Sequence, residues 1–259
     1  NGLFFRTAPS DARGGQILAD ITKDRKVGSV AVTYTNNDYG KGLADVYAAA
    51  AKAHGINVTI VAAHEDGKAD YSAEVATLAS AGGDAIAVIG YLDQGGKGII
   101  QGALDSGAFD TFILSDGMIG DSLTDAFGKS LNKSFGSLPG STGKGAGVFA
   151  TVAGDAGIDP SGPYTGESYD AAALIVLAMQ ASGSADRKGI ADNVMAVANA
   201  PGKKIYPGQL KKALDLLAKG KAVDYEGATG VMFTEVGEAE GSFLEKEVKG
   251  GKFKTKKQR

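Results

Sequence analysis

The first half of the chain alternates short apolar runs with longer amphipathic stretches. Each apolar run is rich in β-branched residues and uninterrupted, which is typical of a strand buried on both faces. A polar or glycine-containing turn follows each run, and then a stretch with apolar residues at helical spacing. The pattern predicts strands at 27–35, 56–63, 84–89 and 111–114, and helices at 39–54, 70–81, 94–106 and 121–127. Such alternation predicts an α/β fold with a parallel, doubly wound sheet.

The segments on either side of this block follow the pattern less regularly. A strand at 3–7 and a helix at 10–24 are predicted before it. The glycine- and serine-rich stretch 134–147 predicts a connection between two lobes. Beyond it the pattern predicts a strand at 147–153, helices at 166–181, 187–198 and 208–220, and late strands at 230–234 and 242–248. The basic residues 250–259 are expected to form a solvated, frayed tail.

Composition excludes several classes of protein. Hydrophobic residues make up 43% of the chain and charged residues 22%, which are ordinary values for a globular protein. The 27 Lys and Arg are balanced by 30 Asp and Glu, giving a net charge of −3, which argues against a nucleic-acid-binding protein. Cysteine is absent and there are two histidines, so thiolate chemistry is excluded and a His-rich metal centre has few candidate ligands. The apolar runs are too short to span a membrane.

None of the common catalytic motifs is complete. The glycine-rich stretch 136–147 lacks P-loop spacing, because Leu138 stands where the first glycine is needed and Gly145 where a Ser or Thr would bind magnesium. Residues 95–98 lack the spacing of a dinucleotide-binding loop. Residues 130–133 fit S-x-x-K without its companion motifs, and no G-x-S-x-G is present. We therefore expect no enzyme activity, no cofactor and no metal.

Polar and aromatic residues follow the predicted strands at their carboxyl ends. In open α/β sheets, ligands bind in the crevice beyond these ends. The residues concerned are 35–39 (TNNDY), 64–66 (HED), 90–94 (GYLDQ) and 115–117 (SDG). Tyrosine rings attract an ammonium group and a carboxylate hydrogen-bonds it, so the residues suit a small cationic or zwitterionic ligand. For any single residue among them, a role in a turn or helix cap is the alternative.

The two histidines have simpler interpretations. His54 ends a predicted helix, where a cationic side chain interacts favourably with the helix dipole. His64 is followed by Glu65 and Asp66, but adjacent side chains at a strand end point in different directions, which does not favour a metal cluster. We predict instead that His64 lies in a surface loop.

Several stretches together resemble the type I periplasmic substrate-binding proteins, specifically the branched-chain amino acid (leucine/isoleucine/valine) group of ABC importers. The resemblance extends over essentially the whole chain, in order, and the combination is more specific than any one stretch. The stretches are FFRTAPSDARGGQILADI (4–21), VAVTYTNNDYGKGLAD (30–45), GYLDQGGKGIIQGALDSG (90–107), ILSDGMIGDSL (113–123) and DPSGPYTGESYDAAALIVLAM (159–179).

Three ligand-binding residues carry over from the family's motifs. The resemblance implies that Tyr39, at a Tyr-Gly turn, faces the cleft from the second lobe. It implies that Tyr91 lies against the bound amino acid, with an offset by one residue to Leu92 as the alternative. Asp116 matches the acidic position that takes the ligand's ammonium group. Better-known members carry Glu there, so the shorter Asp leaves the identity of the amino acid open.

The resemblance also implies a domain organisation. The expected fold is the two-lobed type I periplasmic-binding-protein fold, with parallel doubly wound sheets, a hinge and an interlobe cleft. We expect residues 1–26 and 146–226 in the first lobe, and 27–145 and 227–259 in the second. Family members normally open with several further βα units that this sequence does not contain. The first lobe is therefore expected to be incomplete.

The function implied by the resemblance is capture of an amino acid by lobe closure, for an ABC importer. The ligand would be branched-chain or a related small zwitterion or amide, and the other partner a membrane permease, with no nucleic acid and no direct membrane insertion. The implied location is periplasmic, and because the chain begins at Asn1 without an apolar leader, we expect a signal peptide to have been removed. The alternatives are a ligand-sensing domain of the same fold in a regulator or receptor, and an α/β enzyme.

Overall fold

The structure, a computed structural model that describes residues 2–259, divides into two units along the chain. The first unit contains the residues up to Ser10 together with Pro139–Ser242. The second unit contains Asp11–Leu138 together with Phe243–Arg259. Each unit is thus assembled from segments that are far apart in the sequence.

Helices and strands alternate through most of the second unit, whereas in the first unit three helices follow one another before a short strand. The helices are α1 (Asp11–Asp24), α2 (Asp38–Ala53), α3 (Ser72–Ala81), α4 (Lys97–Ser106), α5 (Asp121–Phe127), α6 (Lys144–Asp155), α7 (Thr165–Ser182), α8 (Arg187–Ala198) and α9 (Leu210–Leu217). The strands are β1 (Ser29–Thr35), β2 (Asn57–His64), β3 (Ala85–Ile89), β4 (Phe112–Leu114), β5 (Phe135–Pro139), β6 (Lys203–Ile205), β7 (Val223–Tyr225), β8 (Phe243–Lys249) and β9 (Lys252–Gln258).

A seven-stranded sheet forms the centre of the second unit. Its strand order is β2-β1-β3-β4-β5-β8-β9. Strands β1 to β4 pair in parallel with their neighbours, as does β5 with β4, whereas β8 and β9 are antiparallel. Because helices connect the parallel strands, the sheet is doubly wound, and the predicted α/β fold class is confirmed.

Alternation along the strands explains why both faces of this sheet are buried. On β1, Val30 and Val32 join one apolar cluster and Ala31 joins the other. On β3, Ile86 and Val88 face the second cluster. Successive side chains of a strand point to opposite faces, so a continuously apolar strand fills two cores at once. Helices α1 and α2 cover one face and α3 and α4 the other.

Helix α1 lies in the second unit, whereas the expected boundaries assign residues 1–26 to the first lobe. An added Cβ at Gly15 of α1 would lie 2.9 Å from Val46 of α2, so the two helix backbones approach closely. Leu18 and Ile21 of α1 also share an apolar cluster with residues of α2 and β1. The contacts of α1 are therefore with the seven-stranded sheet. The stretch 227–242, expected in the second lobe, lies in the first unit.

The first unit is built mainly from helices around a short parallel pair of strands, β6 and β7. Helices α7, α8 and α9 pack their apolar faces into one cluster with Ile205 of β6 and Tyr225 of β7. A buried carboxylate, Asp170 of α7, accepts hydrogen bonds from the Tyr225 hydroxyl and from the backbone N–H groups of Ala228 and Thr229. The loop after β7 is thereby attached to α7.

Three predicted strands of the first unit are wrong. Residues 147–153 belong to helix α6, where Phe149 and Ala153 occupy one face and pack with Ala228. The predicted strand 3–7 is reduced to an isolated bridge between Arg6 and Glu238, and the predicted strand 230–234 to a bridge from Phe233. A short apolar run fits a buried helix as well as a strand, which accounts for the error at 147–153.

The C-terminal residues, predicted to fray, form strand β9 instead. The reason is an ion-pair network around Glu245, whose side chain is 1% exposed. Its carboxylate accepts hydrogen bonds from Arg25 at 2.8 Å and from Arg259 at 2.6 Å. Arg259 also donates to Asp24 at 2.7 Å, so the last residue of the chain is attached to both β8 and the end of α1.

Replacing Arg259 by alanine is expected to lower the free energy of unfolding of the second unit by about 1.5 kcal/mol, because charge-assisted hydrogen bonds to Glu245 are lost while Arg25 still pairs with it. Urea denaturation followed by circular dichroism measures this change. The matched control is Lys254→Ala, since Lys254 is an exposed cation of strand β9, which Arg259 directly follows. Equal effects of the two substitutions would contradict the anchoring role of Arg259.

A candidate ligand site at the carboxyl edge of the sheet

Four neighbouring parallel strands end at the same edge of the sheet. Strands β1 and β2 end at Thr35 and His64, which are paired in register, and β3 and β4 end at Ile89 and Leu114. The residues that follow these four positions therefore lie close together, as expected for the binding edge of an open α/β sheet.

Helix α2 begins at this edge and positions Tyr39 in its first turn. Asn37 caps the helix, because its side chain accepts a hydrogen bond from the N–H of Gly40 at 2.9 Å. The Tyr39 hydroxyl donates to Asp116 Oδ1 at 2.7 Å and lies 3.2 Å from Ser115 Oγ. Burial, together with the negative charge of Asp116, raises the pKa of Tyr39 well above its ordinary value. Tyr39 is therefore a neutral hydrogen-bond donor.

Tyr91 completes an aromatic pair with Tyr39. The two rings stack with their centroids 5.2 Å apart and their planes 27° apart. Tyr91 directly precedes a π-helical turn over Leu92–Gly96, in which the Gly96 N–H donates to the Tyr91 carbonyl at 3.0 Å. Single π-helical turns are rare and recur at functional sites. This turn holds the backbone of Tyr91 beside the end of β3.

The structure thus brings Tyr39, Tyr91 and Asp116 together, although up to 77 positions separate them in the sequence. Each is half-buried. Sequence reasoning gave Ser115 no role of its own, but its hydroxyl accepts from the N–H of Gly90 at 3.3 Å and lies beside Tyr39. The sequence feature that could have identified Ser115 is its position directly after β4, in the SDG turn.

Gly117 permits the close approach of two loops at this site. A Cβ at residue 117 would clash with the carbonyl oxygen of Gly90 and would lie 3.2 Å from the ring of Tyr91. The obstructing atom belongs to the backbone, so relief requires movement of a loop. Any side chain at this position therefore separates Asp116 from Tyr91.

The substitution Gly117→Ala is expected to lower the free energy of unfolding by about 2 kcal/mol, as overpacking does at a tight backbone contact. Gly42→Ala is the matched control, because nothing lies within 4 Å of its added Cβ and alanine favours the interior of helix α2. Thermal unfolding should show a lower melting temperature for the first variant and an unchanged or higher one for the second. An unchanged melting temperature in Gly117→Ala would contradict the tight approach.

His64 is buried, and its predicted place in a surface loop is wrong. The residue is 1% exposed and ends strand β2. Its Nδ1 lies 2.9 Å from the Thr33 hydroxyl, and its ring meets that of Tyr71 edge-on at 6.2 Å. Burial lowers the pKa of His64. The ring is therefore held mainly neutral below the candidate site.

The arrangement is a pair of stacked phenol rings beside a half-buried carboxylate. A carboxylate with aromatic faces next to it can hold an ammonium group by charge-assisted hydrogen bonds and by cation–π attraction. Among residues 2–259, no group of three or more acidic or histidine side chains is placed to bind a metal ion. Nor does any helix in that range combine the length and apolar character needed to cross a membrane.

Comparison with known proteins identifies relatives of this chain. A relative in Halobacterium salinarum, the chemotactic signal transduction system substrate-binding protein BasB, is 26% identical over 228 residues, which are 87% of this chain and 53% of that protein. Leu/Ile/Val-binding protein homolog 1 of Brucella melitensis is 30% identical over 194 residues, covering 72% of this chain and 51% of the relative. The chain spans about half the length of these relatives.

A solved structure has the same fold. The leucine-binding protein LivK of Thermotoga maritima matches with a TM-score of 0.78 at 21% identity, covering 98% of this chain and 67% of that one. A sequence model of the periplasmic binding proteins matches residues 1–240. The family expected from the sequence is confirmed: the chain belongs to the periplasmic binding protein family.

Proposed function

We propose that the chain captures a branched-chain amino acid, or a related small zwitterion or amide, as the extracytoplasmic solute-binding protein of an ABC importer. The observation that carries the proposal is the position of Asp116 beside the stacked rings of Tyr39 and Tyr91. In this proposal the carboxylate holds the ligand's ammonium group and Tyr91 lies against the ligand. The names of the Leu/Ile/Val-binding relative and of the leucine-binding structure support the same ligand class.

The residues at the site favour a zwitterion over a simple organic acid. Asp116 is an anion, and the neighbouring Tyr39 hydroxyl already donates to it. A ligand carboxylate placed there would be repelled, whereas an ammonium group would be attracted. The ligand is therefore expected to need its amino group.

The deciding experiment compares L-leucine with 4-methylpentanoate, which has the same carbon chain and carboxylate but no amino group. At about a hundred times its dissociation constant, a ligand stabilises the folded state by about 2.7 kcal/mol, which raises the melting temperature by about 5 °C or more. We expect this shift with L-leucine, L-isoleucine or L-valine and none with 4-methylpentanoate. Equal shifts with both compounds, or none with any amino acid, would contradict the proposal.

Closure of the two lobes around the ligand is the mechanism that we attach to this proposal. The ligand stabilises the closed form, and the permease recognises that form. Small-angle X-ray scattering should then give a smaller radius of gyration with saturating L-leucine than without it. An unchanged radius in a protein that binds L-leucine would remove closure from the mechanism.

A second candidate function is ligand sensing, which the likeness to the chemotactic protein BasB supports. Both functions use the same capture step and differ in the partner that recognises the bound form. Uptake of labelled leucine by cells that lack the gene, compared with their swimming towards leucine, distinguishes the two. Lost uptake supports transport, and lost chemotaxis with normal uptake supports sensing.

A further inference from the structure

The ring of His64 lies directly beneath the segment that carries Tyr91. We call residues 90–96 the Tyr91 segment. A Cβ added at Gly90 would lie 3.3 Å from His64 Nε2, and one added at Gly95 would lie 3.1 Å from its Cδ2 and 3.3 Å from Nε2. Both ends of the segment therefore rest on the imidazole edge, and glycine at both positions allows this contact.

The polar atoms at this contact are buried without partners. His64 Nε2 has no hydrogen-bond partner among residues 2–259, and the same is true of Thr35 Oγ1. Thr35 is paired with His64 across β1 and β2, and a Cβ at Gly90 would lie 3.5 Å from its Cβ. Buried polar groups are nearly always satisfied, so two such atoms on paired residues are unusual. Burying His64 Nε2 without a hydrogen-bond partner costs less when the ring is neutral than when it is charged.

Protonation changes the requirement at Nε2. An imidazolium has N–H donors at both nitrogens, and the Thr33 hydroxyl at 2.9 Å can serve only the one at Nδ1. A buried, charged Nε2–H without an acceptor is costly. The backbone that contacts the Nε2 edge at Gly90 and Gly95 belongs to the Tyr91 segment, so charging the ring weakens its support of that segment.

The surrounding charges do not remove this requirement. The Tyr71 hydroxyl lies 3.0 Å from the carbonyl oxygens of Glu65 and Gln94, and its ring meets His64 edge-on. The Lys68 amine pairs with Glu74 and lies 5.8 Å from the centre of the Tyr71 ring. Burial lowers the pKa of His64, and the charges of Asp66, Glu74 and Glu65 oppose that effect without overcoming it. The titratable and charged groups around the ring are Glu65, Asp66, Lys68, Tyr71 and Glu74.

We propose that His64 is a positioning residue for ligand capture: its neutral ring supports the Tyr91 segment, and its protonation displaces that segment and releases the ligand. This proposal rests on the proposed function, because Tyr91 is the residue through which His64 acts. Only the fraction of molecules with a neutral ring is then competent to bind, and the apparent dissociation constant rises as that fraction falls.

The test is the pH dependence of L-leucine binding by isothermal titration calorimetry in the full chain. Between about pH 7.5 and pH 5, the dissociation constant of the unchanged protein is expected to rise by about tenfold. The variant His64→Gln, which cannot become charged, should bind over the whole range with a nearly constant affinity. His54→Gln is the matched control, because His54 is the only other histidine of the chain and pairs with Asp20 far from the site.

The outcomes separate positioning from a purely structural role. A purely structural His64 would leave the pH profile of His64→Gln parallel to that of the unchanged protein, and this result would overturn the proposal. If His64→Gln does not fold, His54→Gln leaves a single histidine whose Cε1–H resonance can be titrated by NMR. A lower midpoint with L-leucine than without it supports the proposal, and equal midpoints overturn it.

A ligand-free measurement keeps the proposal distinct from the proposed function. Hydrogen exchange of residues 90–96, corrected for the intrinsic effect of pH, should be faster at about pH 5 than at pH 7.5 in the unchanged protein but not in His64→Gln. If L-leucine binds at no pH, the proposed function fails while this measurement still judges the role of His64. Equal exchange at both pH values in the unchanged protein overturns the positioning role.

Discussion

The substitution Asp116→Asn is expected to weaken binding of L-leucine by about a hundredfold, close to 2.7 kcal/mol. Asparagine has the same shape as aspartate but no charge, so the ligand's ammonium group would lose its anionic partner. The Tyr39 hydroxyl, which donates to Asp116 Oδ1 at 2.7 Å, would keep an acceptor in the asparagine oxygen. Charge-assisted hydrogen bonds in partly desolvated sites have this magnitude. Isothermal titration calorimetry at neutral pH measures the change directly.

The control for this prediction is Asp93→Asn. Asp93 lies two positions after Tyr91, carries the same charge and is exposed, with its carboxylate paired to Lys97 at 2.6 Å on the surface. A surface ion pair of this kind contributes little to stability. Solvent and salt also screen the charge of Asp93 from a ligand at the site. We expect Asp93→Asn to leave the affinity within about twofold. Equal losses in the two variants would mean that general electrostatic attraction, and not a contact with Asp116, determines affinity.

The local pattern of apolar and polar residues was sufficient to predict most helices and strands of the second unit. Strands β1 and β3 are apolar on both faces, and helix α2 follows a strand and a capping Asn37, so each prediction agrees with the structure within two residues. Local pattern also placed Tyr39, Tyr91 and Asp116 at strand ends. Their contact follows from the parallel order of the strands, because the carboxyl ends of neighbouring parallel strands share one edge. Their role in ligand binding stays a prediction.

The wrong predictions depend on partners that are distant in the sequence. Strand β9 has hardly any apolar residues, and it is held by the bond of Arg259 to Asp24, which lies 235 positions away. The neighbouring Glu65 and Asp66 suggest that His64 is exposed. In the structure the Thr33 hydroxyl satisfies its Nδ1, and the absence of side chains at Gly90 and Gly95 leaves space for the ring. Neither the space left by a missing side chain nor a distant charge can be read from a local pattern.

In the first unit, replacing Asp170 by alanine is expected to lower the free energy of unfolding by about 4 kcal/mol. The carboxylate is fully buried and accepts four hydrogen bonds between 2.7 and 2.9 Å. Their donors are the Tyr225 hydroxyl, the Ala228 N–H, and the N–H and hydroxyl of Thr229. Alanine would leave these donors buried without an acceptor, and the loop after β7 would lose its attachment to helix α7. Urea denaturation followed by circular dichroism measures the change.

Asp170→Asn should cost about half as much, which separates the hydrogen bonds from packing. The asparagine oxygen can still serve the Tyr225 hydroxyl and the Ala228 N–H, which both donate to Oδ1, but its amide group would face the two donors of Thr229. Asp155→Ala, at the exposed end of helix α6, is the control and should change stability by less than about 0.5 kcal/mol. If Asp170→Ala and Asp170→Asn were both as stable as the unchanged protein, the carboxylate would not hold the loop. The attachment would then have to come from apolar packing of Tyr225 alone.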